Sequence, residues 1–414
     1  MKTKSLNLWK KANLLIPSGN SFLSKNRSGH PSKVWPIYFD KSRGCEILDI
    51  DGNKYYDFHY MGVGTNILGY SNPKIDNQLF KVLRKGNMTT LNCPEEPEFA
   101  SEILKPHPWA KMAKFAKTGA EANAIAIRLA RSYTKKSKII LCGYHGWHDW
   151  YLAAKLNPKS HMETHLFPKL KIQGVPKFLK GSVFSVKYNN LEEIKKIYNK
   201  NKDIAAIIME VKRFEEPKKK YLASIRSFCT RKNICLIFDE CTTGFRENYG
   251  GLHLKYKINP DLAMFGKAIG NGYSITAVIG KNKIMKHAKN SFISSTFWSE
   301  RIGFVAGTLT LNYMKKIKSW TLIKKKGKII KSNLIKLANK NKIKIRFEGN
   351  DSLFRFFLEG VKIKDYKKFI AEEMIKHNFL TSNIIYVSIA HTNILIKKYL
   401  KKMDLVFKKL AKLK

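Results

Sequence analysis

The sequence predicts an α/β fold built on a mostly parallel sheet, and three observations carry that expectation. Short, continuously apolar runs alternate with amphipathic helical segments between residues 120 and 280. That is the pattern of strands buried on both faces and crossed over by helices. The most polar residues of the region, Glu210, Asp239 and Glu240, stand just past the ends of apolar runs, where open α/β sheets bind ligands. Hydrophobic residues make up 44% of the chain and aromatic residues 12%, enough for a large core and too much for a disordered polycation.

The elements follow in chain order. Residues 44–58 read as a hairpin, with Asp51-Gly52-Asn53 as the turn and strand-like alternation on both sides. Residues 120–133 carry apolar side chains at helical spacing, and 138–142 form an apolar strand. A helix over 191–199 leads to a fully apolar strand over 204–209. A second such pair is the helix 222–232 and the strand 234–238, and two further short strands fall at 261–265 and 275–279. The last hundred residues read as a smaller α+β unit. Its final helix sets Ile396, Leu400, Met403, Phe407 and Leu410 on one face with lysines opposite.

The charge balance is unusual. Of 414 residues, 78 are Lys or Arg and 31 are Asp or Glu, a formal charge of +47. Residues 311–414 hold 27 basic and 7 acidic residues, so the excess is densest there but raised throughout. The lysines sit between apolar residues at helical spacing, which describes solvated helix faces rather than a basic arm. A binder of nucleic acid or of an anionic surface on an enzyme fold would need the charge gathered on one face with aromatics exposed for stacking. No run approaches the roughly 18 apolar residues of a membrane span. Six scattered cysteines form no C-x-x-C pair, and the first residues lack a continuous apolar targeting segment. A cytoplasmic protein is expected.

Four local patterns carry chemistry. Thr118-Gly119-Ala120-Glu121-Ala122 opens a helix, whose free N–H groups suit a phosphate, although Thr118 and Glu121 also spell an ordinary capping box. Gly143-Tyr144-His145-Gly146-Trp147-His148-Asp149 places an aromatic between glycines after a strand, a flat plate for a flat ligand. A metal held by His145, His148 and Asp149 finds no supporting cluster elsewhere, so none is expected. Asp239, leaving an apolar strand, needs a cationic partner, and Arg246 is one choice. Lys267 lies between apolar residues and glycines in 261–272, where desolvation favours a neutral, nucleophilic amine. A phosphate site, an aromatic plate, a buried carboxylate and a buried amine are the set that holds pyridoxal 5'-phosphate.

In this order the motifs resemble those of class III, fold type I aminotransferases over nearly the whole chain, and most of all the glutamate-1-semialdehyde aminomutase branch. The carrying residues are Ile16-Pro17-Ser18-Gly19, Thr118 to Ala122, Tyr144-His145-Gly146, Asp239 to Arg246, Gly266-Lys267 with Gly270 and Gly272, and Thr296. The resemblance implies a large cofactor-binding domain over 61–305 with a seven-stranded sheet. It implies a small α+β domain over 306–414, joined by the N-terminal segment 1–60. It implies that Lys267 forms the Schiff base and shuttles protons, and that Asp239 pairs with the pyridine nitrogen. Tyr144 would stack on the ring and Cys241 would pack under it, in place of the usual Val or Ile. Gly119 and Ala120 would take the phosphate, Glu210 and Thr242 would line the site, and Thr296 would reach the phosphate of a neighbouring subunit in a homodimer.

Departures from the pattern concern the substrate. Ser24 falls where the aminomutases carry an arginine that grips a carboxylate, with Lys25 and Arg27 nearby, and Val211 replaces a proline after Glu210. Val63 replaces an aromatic before Gly64, and 295–301 reads closer to relatives that act on sugar-derived substrates. The expected activity is therefore transfer of an amino group between a small-molecule donor and a carbonyl acceptor. The alternative is the aminomutase reaction, which makes 5-aminolevulinate within one substrate and needs a closing loop, for which 155–180 is the candidate.

Overall fold

The computed structural model describes residues 3–162, 171–361, 363 and 365–413. The chain divides into two compact units, Met1–Pro73 with Ser319–Lys414, and Lys74–Lys318.

The first unit opens with the helix Thr3–Leu15, and its strands start with β1 (Phe39–Arg43), β2 (Glu46–Asp49) and β3 (Lys54–Asp57). β2 and β3 form the expected hairpin, with Leu48 opposite Lys54. Asp49 fixes the turn by accepting the Asn53 amide at 2.7 Å and the Asp51 amide at 3.0 Å.

The second unit is built on one sheet of seven strands. They are β4 (Met112–Ala116), β5 (Lys138–Cys142), β6 (Val183–Ser185), β7 (Ile204–Glu210), β8 (Cys235–Asp239), β9 (Leu262–Phe265) and β10 (Thr276–Gly280), in the order β4-β10-β9-β8-β7-β5-β6. Only β10 runs against its neighbours. Every residue of β7, β8 and β9 is buried, which is why these strands read as unbroken apolar runs instead of alternating ones. β4 and β6 escaped the sequence reading: β4 carries Lys114 at a sheet edge, and β6 is three residues long. Two apolar clusters fill the sheet's faces. One gathers the Gly119–Thr134 helix over Ile139, Leu141, Ile208 and Ile237. The other gathers the Tyr221–Arg231 helix over Ile140, Ile207, Leu236 and Phe238.

The chain then returns to the first unit with β11 (Lys344–Gly349), β12 (Leu353–Glu359), β13 (Phe379–Leu380) and β14 (Ile384–Tyr386). β11, β12 and β14 form a three-stranded sheet, and β13 pairs with β3 in parallel. The final helix, Asn393–Lys412, buries Ile396, Met403, Phe407 and Leu410 as its pattern predicted. Tyr399 rather than Leu400 is the fully buried residue of its middle turn, because its ring stacks on Phe58 at 4.5 Å between centroids.

Candidate active site

The carboxyl ends of β7, β8 and β9 lie side by side, with Glu210 opposite Asp239 and Asp239 opposite Met264 in register. Asp239 is buried, and three donors hold its carboxylate, which leaves room for one more. Oδ2 accepts from His145 Nδ1 at 2.8 Å and from Asn123 Nδ2 at 3.0 Å, and Oδ1 accepts from the Cys241 amide at 3.0 Å. Burial alone would raise its pKa, but these donors and the His145 charge outweigh it and leave Asp239 below the usual carboxylate value. The side chain that holds Asp239 in the place the sequence reading gave to Arg246 is thus the His145 imidazole. His145 is itself held by Nε2 against the Cys142 carbonyl at 3.2 Å.

Glu240, one residue on, points the other way. Its carboxylate accepts from His253 Nδ1 at 2.9 Å and from the His253 amide at 2.8 Å. His253 Nε2 accepts from Trp109 Nε1 at 3.1 Å, so its proton sits on Nδ1. The strand end therefore carries two buried carboxylates, each with its own histidine.

Lys267 follows β9 after a single glycine. Its Nζ donates to Thr242 Oγ1 at 2.9 Å, and its backbone is left-handed, at φ +47°. A side chain other than Gly is strained there, so the surrounding turn holds the lysine in place. Lys267 is half-buried rather than enclosed, with Ala268 and Ile269 buried after it. Its amine is therefore reachable from the mouth of the site.

Between these groups lies a cradle formed by glycines. A Cβ on Gly266 would stand 2.8 Å from Cys241 Sγ, and one on Gly119 would stand 3.3 Å from the same sulfur. A Cβ on Gly146, at φ +112°, would stand 2.6 Å from Ala120 Cβ. Three glycines thus let Cys241, the start of the Gly119–Thr134 helix and the Tyr144 loop approach one another. That helix is capped as read: Thr118 Oγ1 accepts from the Glu121 amide at 3.3 Å, and Glu121 Oε2 accepts from the Thr118 amide at 2.7 Å. Burial pushes the Cys241 thiol up to about 11, against the opposing charge of Lys267, so it stays protonated at neutral pH.

Tyr144 is 41% exposed, leaving its ring available to a ligand. Its amide donates to Glu210 Oε2 at 3.3 Å, and its ring meets Tyr151 edge-on at 5.9 Å. Thr296 is exposed in the turn Thr296–Ser299, which is anchored to the same helix start by Trp298 Nε1 donating to Glu121 Oε1 at 3.1 Å. Of the expected loop 155–180, residues 163–170 lie outside the described residues.

The structure therefore brings Asp239, Cys241, Thr242 and Lys267 together, with Gly119, Ala120, Tyr144 and Glu210 around them and Thr296 on a separate exposed turn. Sequence reasoning missed Asn123 and the role of His145. The signal for Asn123 was its place one turn inside the phosphate-type helix start. For His145 it was the glycine bracket itself, which turns the ring inward. A half-buried lysine, a buried carboxylate oriented by three donors, a helix start and a glycine cradle fit pyridoxal 5'-phosphate on their own chemistry.

Comparisons with known proteins agree. The chain is 31% identical to the 3-aminobutyryl-CoA aminotransferase of Cloacimonas acidaminovorans (strain Evry), over 91% of this chain and 89% of that protein. It is 35% identical to the glutamate-1-semialdehyde 2,1-aminomutase of Wigglesworthia glossinidia brevipalpis, over 87% of this chain and 84% of that protein. Its fold matches the omega-transaminase of Sphaerobacter thermophilus with a TM-score of 0.85 at 20% identity, covering 99% of this chain and 98% of the other. The family model described as aminotransferase class-III matches residues 28–366, and by that match the chain belongs to the class-III aminotransferases, a pyridoxal 5'-phosphate-dependent family.

Proposed function

We propose that this site moves an amino group from a small-molecule amino donor to a carbonyl acceptor, whether aldehyde, keto acid or sugar-derived. The observation that supports this most is the spacing of two groups at neighbouring strand ends. The Lys267 amine rests on Thr242 at 2.9 Å, three residues along the chain from the buried Asp239, whose carboxylate is oriented by three donors. An amine nucleophile and an anion kept ionised are the two groups this chemistry requires of the protein.

When bound, the cofactor supplies an electron sink for the substrate carbon that bears the nitrogen. Asp239 would hold a proton at the pyridine nitrogen, with His145 and Asn123 keeping the carboxylate charged and oriented. The Gly119 and Ala120 amides would bind the phosphate at the positive end of their helix. Tyr144 would cover one face of the ring, and Cys241 would fill the space beneath it. Thr242 would hold the Lys267 amine when it is free, and Lys267 Nζ would then take the proton from the substrate carbon. Glu210 would line the mouth. Thr296 is assigned to the phosphate in a second copy's site, which makes the enzyme a homodimer. Its exposure, with that of Phe297, supports this reading. Six free thiols support a reducing cytoplasm, and no helix among the described residues is long and apolar enough to cross a membrane.

A second reading, the aminomutase, is favoured by the 35% identity to the Wigglesworthia enzyme. The separating experiment offers glutamate 1-semialdehyde to the cofactor-loaded enzyme with no other amino compound present. Transfer between two substrates predicts no 5-aminolevulinate, and once a donor is added the aldehyde is aminated to 4,5-diaminovalerate instead. Efficient isomerisation without a donor would establish the aminomutase instead.

A further inference from the structure

The loop after β7 brings a second cation to the same strand ends, and it is held rigidly. Val211 is buried, and its carbonyl accepts from the Tyr188 hydroxyl. Asn189 Nδ2 donates to Glu215 Oε1 at 2.7 Å and to the Glu216 carbonyl at 2.8 Å, while its Oδ1 accepts the Lys218 amide at 2.8 Å. Lys212 turns to Glu216. Arg213 turns to Glu210 instead, with Nη1 at 3.8 Å from Oε2 and its side chain 31% exposed. That distance is beyond a hydrogen bond, so the contact with Glu210 is coulombic. The guanidinium also lies over the Phe214 ring, 5.4 Å from its centroid, which limits its swing. Its charge is felt within the site: burial raises both Tyr144 and Cys241, and Arg213 together with Lys267 opposes that rise in each.

We propose that Arg213 is a specificity-determining residue that selects substrates bearing a carboxylate. Its guanidinium exchanges the loose contact with Glu210 for a two-pronged bond to that carboxylate, the geometry for which arginine is suited and lysine is not. A fork fixed on a pinned loop loses little freedom on binding, so the contact contributes affinity as well as orientation. This inference rests on the aminotransferase reading of the site.

The test titrates the cofactor-loaded enzyme with propionate, valerate and glutarate, read by calorimetry and by the cofactor's visible band. At least one of the three is expected to bind the parent saturably. Arg213→Met should weaken that binding about tenfold or more, and Arg213→Lys should fall between, with the visible band retained in all three proteins. Should Arg213→Met not accumulate, Arg213→Lys alone carries the comparison. Equal affinities in parent and variants, or no saturable carboxylate binding by the parent, would overturn the proposal. A parent that binds carboxylate but never takes up cofactor would sink the aminotransferase reading instead, so the two failures are told apart.

Discussion

His145 Nδ1 stands 2.8 Å from Asp239 Oδ2, with both side chains buried beneath the mouth of the site. The pair ties the loop after β5 to the end of β8 across the intervening β7. Its second nitrogen meets the Cys142 carbonyl, so the ring cannot turn away without losing two partners. The relationship explains how an apolar strand can end in an ionised carboxylate at tolerable cost.

Removing one member should therefore be costly. His145→Ala leaves Asp239 buried without its main partner, and such breaks cost about 3 kcal/mol or more. Urea unfolding should show that loss, and the cofactor should bind more weakly. His145→Asn, which keeps a donor, should recover part of both. Unchanged stability in His145→Ala would mean that Asn123 and the Cys241 amide suffice.

Acid should destabilise the protein earlier than carboxylate titration alone would. Burial lowers the His391 pKa to about 4, opposed by the hydrogen bond from its Nε2 to the Asp57 carbonyl at 2.8 Å, and burial likewise lowers His107 to about 4. Between pH 6.5 and about 4 the unfolded chain binds the protons that the folded chain refuses. Stability therefore falls as pH drops through that window. Asp239 and Glu240 act lower, because their folded pKa values are depressed. Their contribution is present above the unfolded carboxylate values and is lost as pH falls through the folded ones. Urea midpoints at pH 7.5, 6.0 and 5.0 should decline steadily in the parent and less steeply in His391→Gln.

Gly146→Ala should harm the site more than an ordinary loop substitution. The new Cβ meets Ala120 at 2.6 Å and is forced to φ +112°, a strain of about 1–3 kcal/mol. It pushes on the helix start assigned to the phosphate, so cofactor affinity should fall about tenfold or more. Gly52→Ala, at φ +81° with nothing within 4 Å, is the control. It carries the backbone strain and should leave cofactor affinity untouched.

What the sequence made legible was what burial writes into composition. β5, β7, β8 and β9 announce themselves because both their faces are covered, and Asp239 and Lys267 stand out as charges beside apolar runs. β4 was hidden because an edge strand tolerates Lys114, and β6 because three residues carry no period. The His145–Asp239 contact joins residues 94 positions apart, a pairing that no local pattern encodes. The left-handed backbone of Lys267 was equally invisible, since nothing in a lysine's identity signals that conformation. Leu400 was assigned to the buried face on spacing alone, whereas the Phe58 ring that selects Tyr399 lies in the N-terminal segment.

Lys267 as the residue that holds the cofactor covalently is open to a direct chemical test. The cofactor-loaded protein is treated with borohydride, digested and weighed peptide by peptide, with Lys267→Ala treated in parallel. The reduced cofactor's mass should appear on the peptide containing Lys267, the visible band of the parent should disappear, and the variant should carry no fixed cofactor. A visible band that survives borohydride, or cofactor mass fixed on a different lysine, would contradict that role of Lys267.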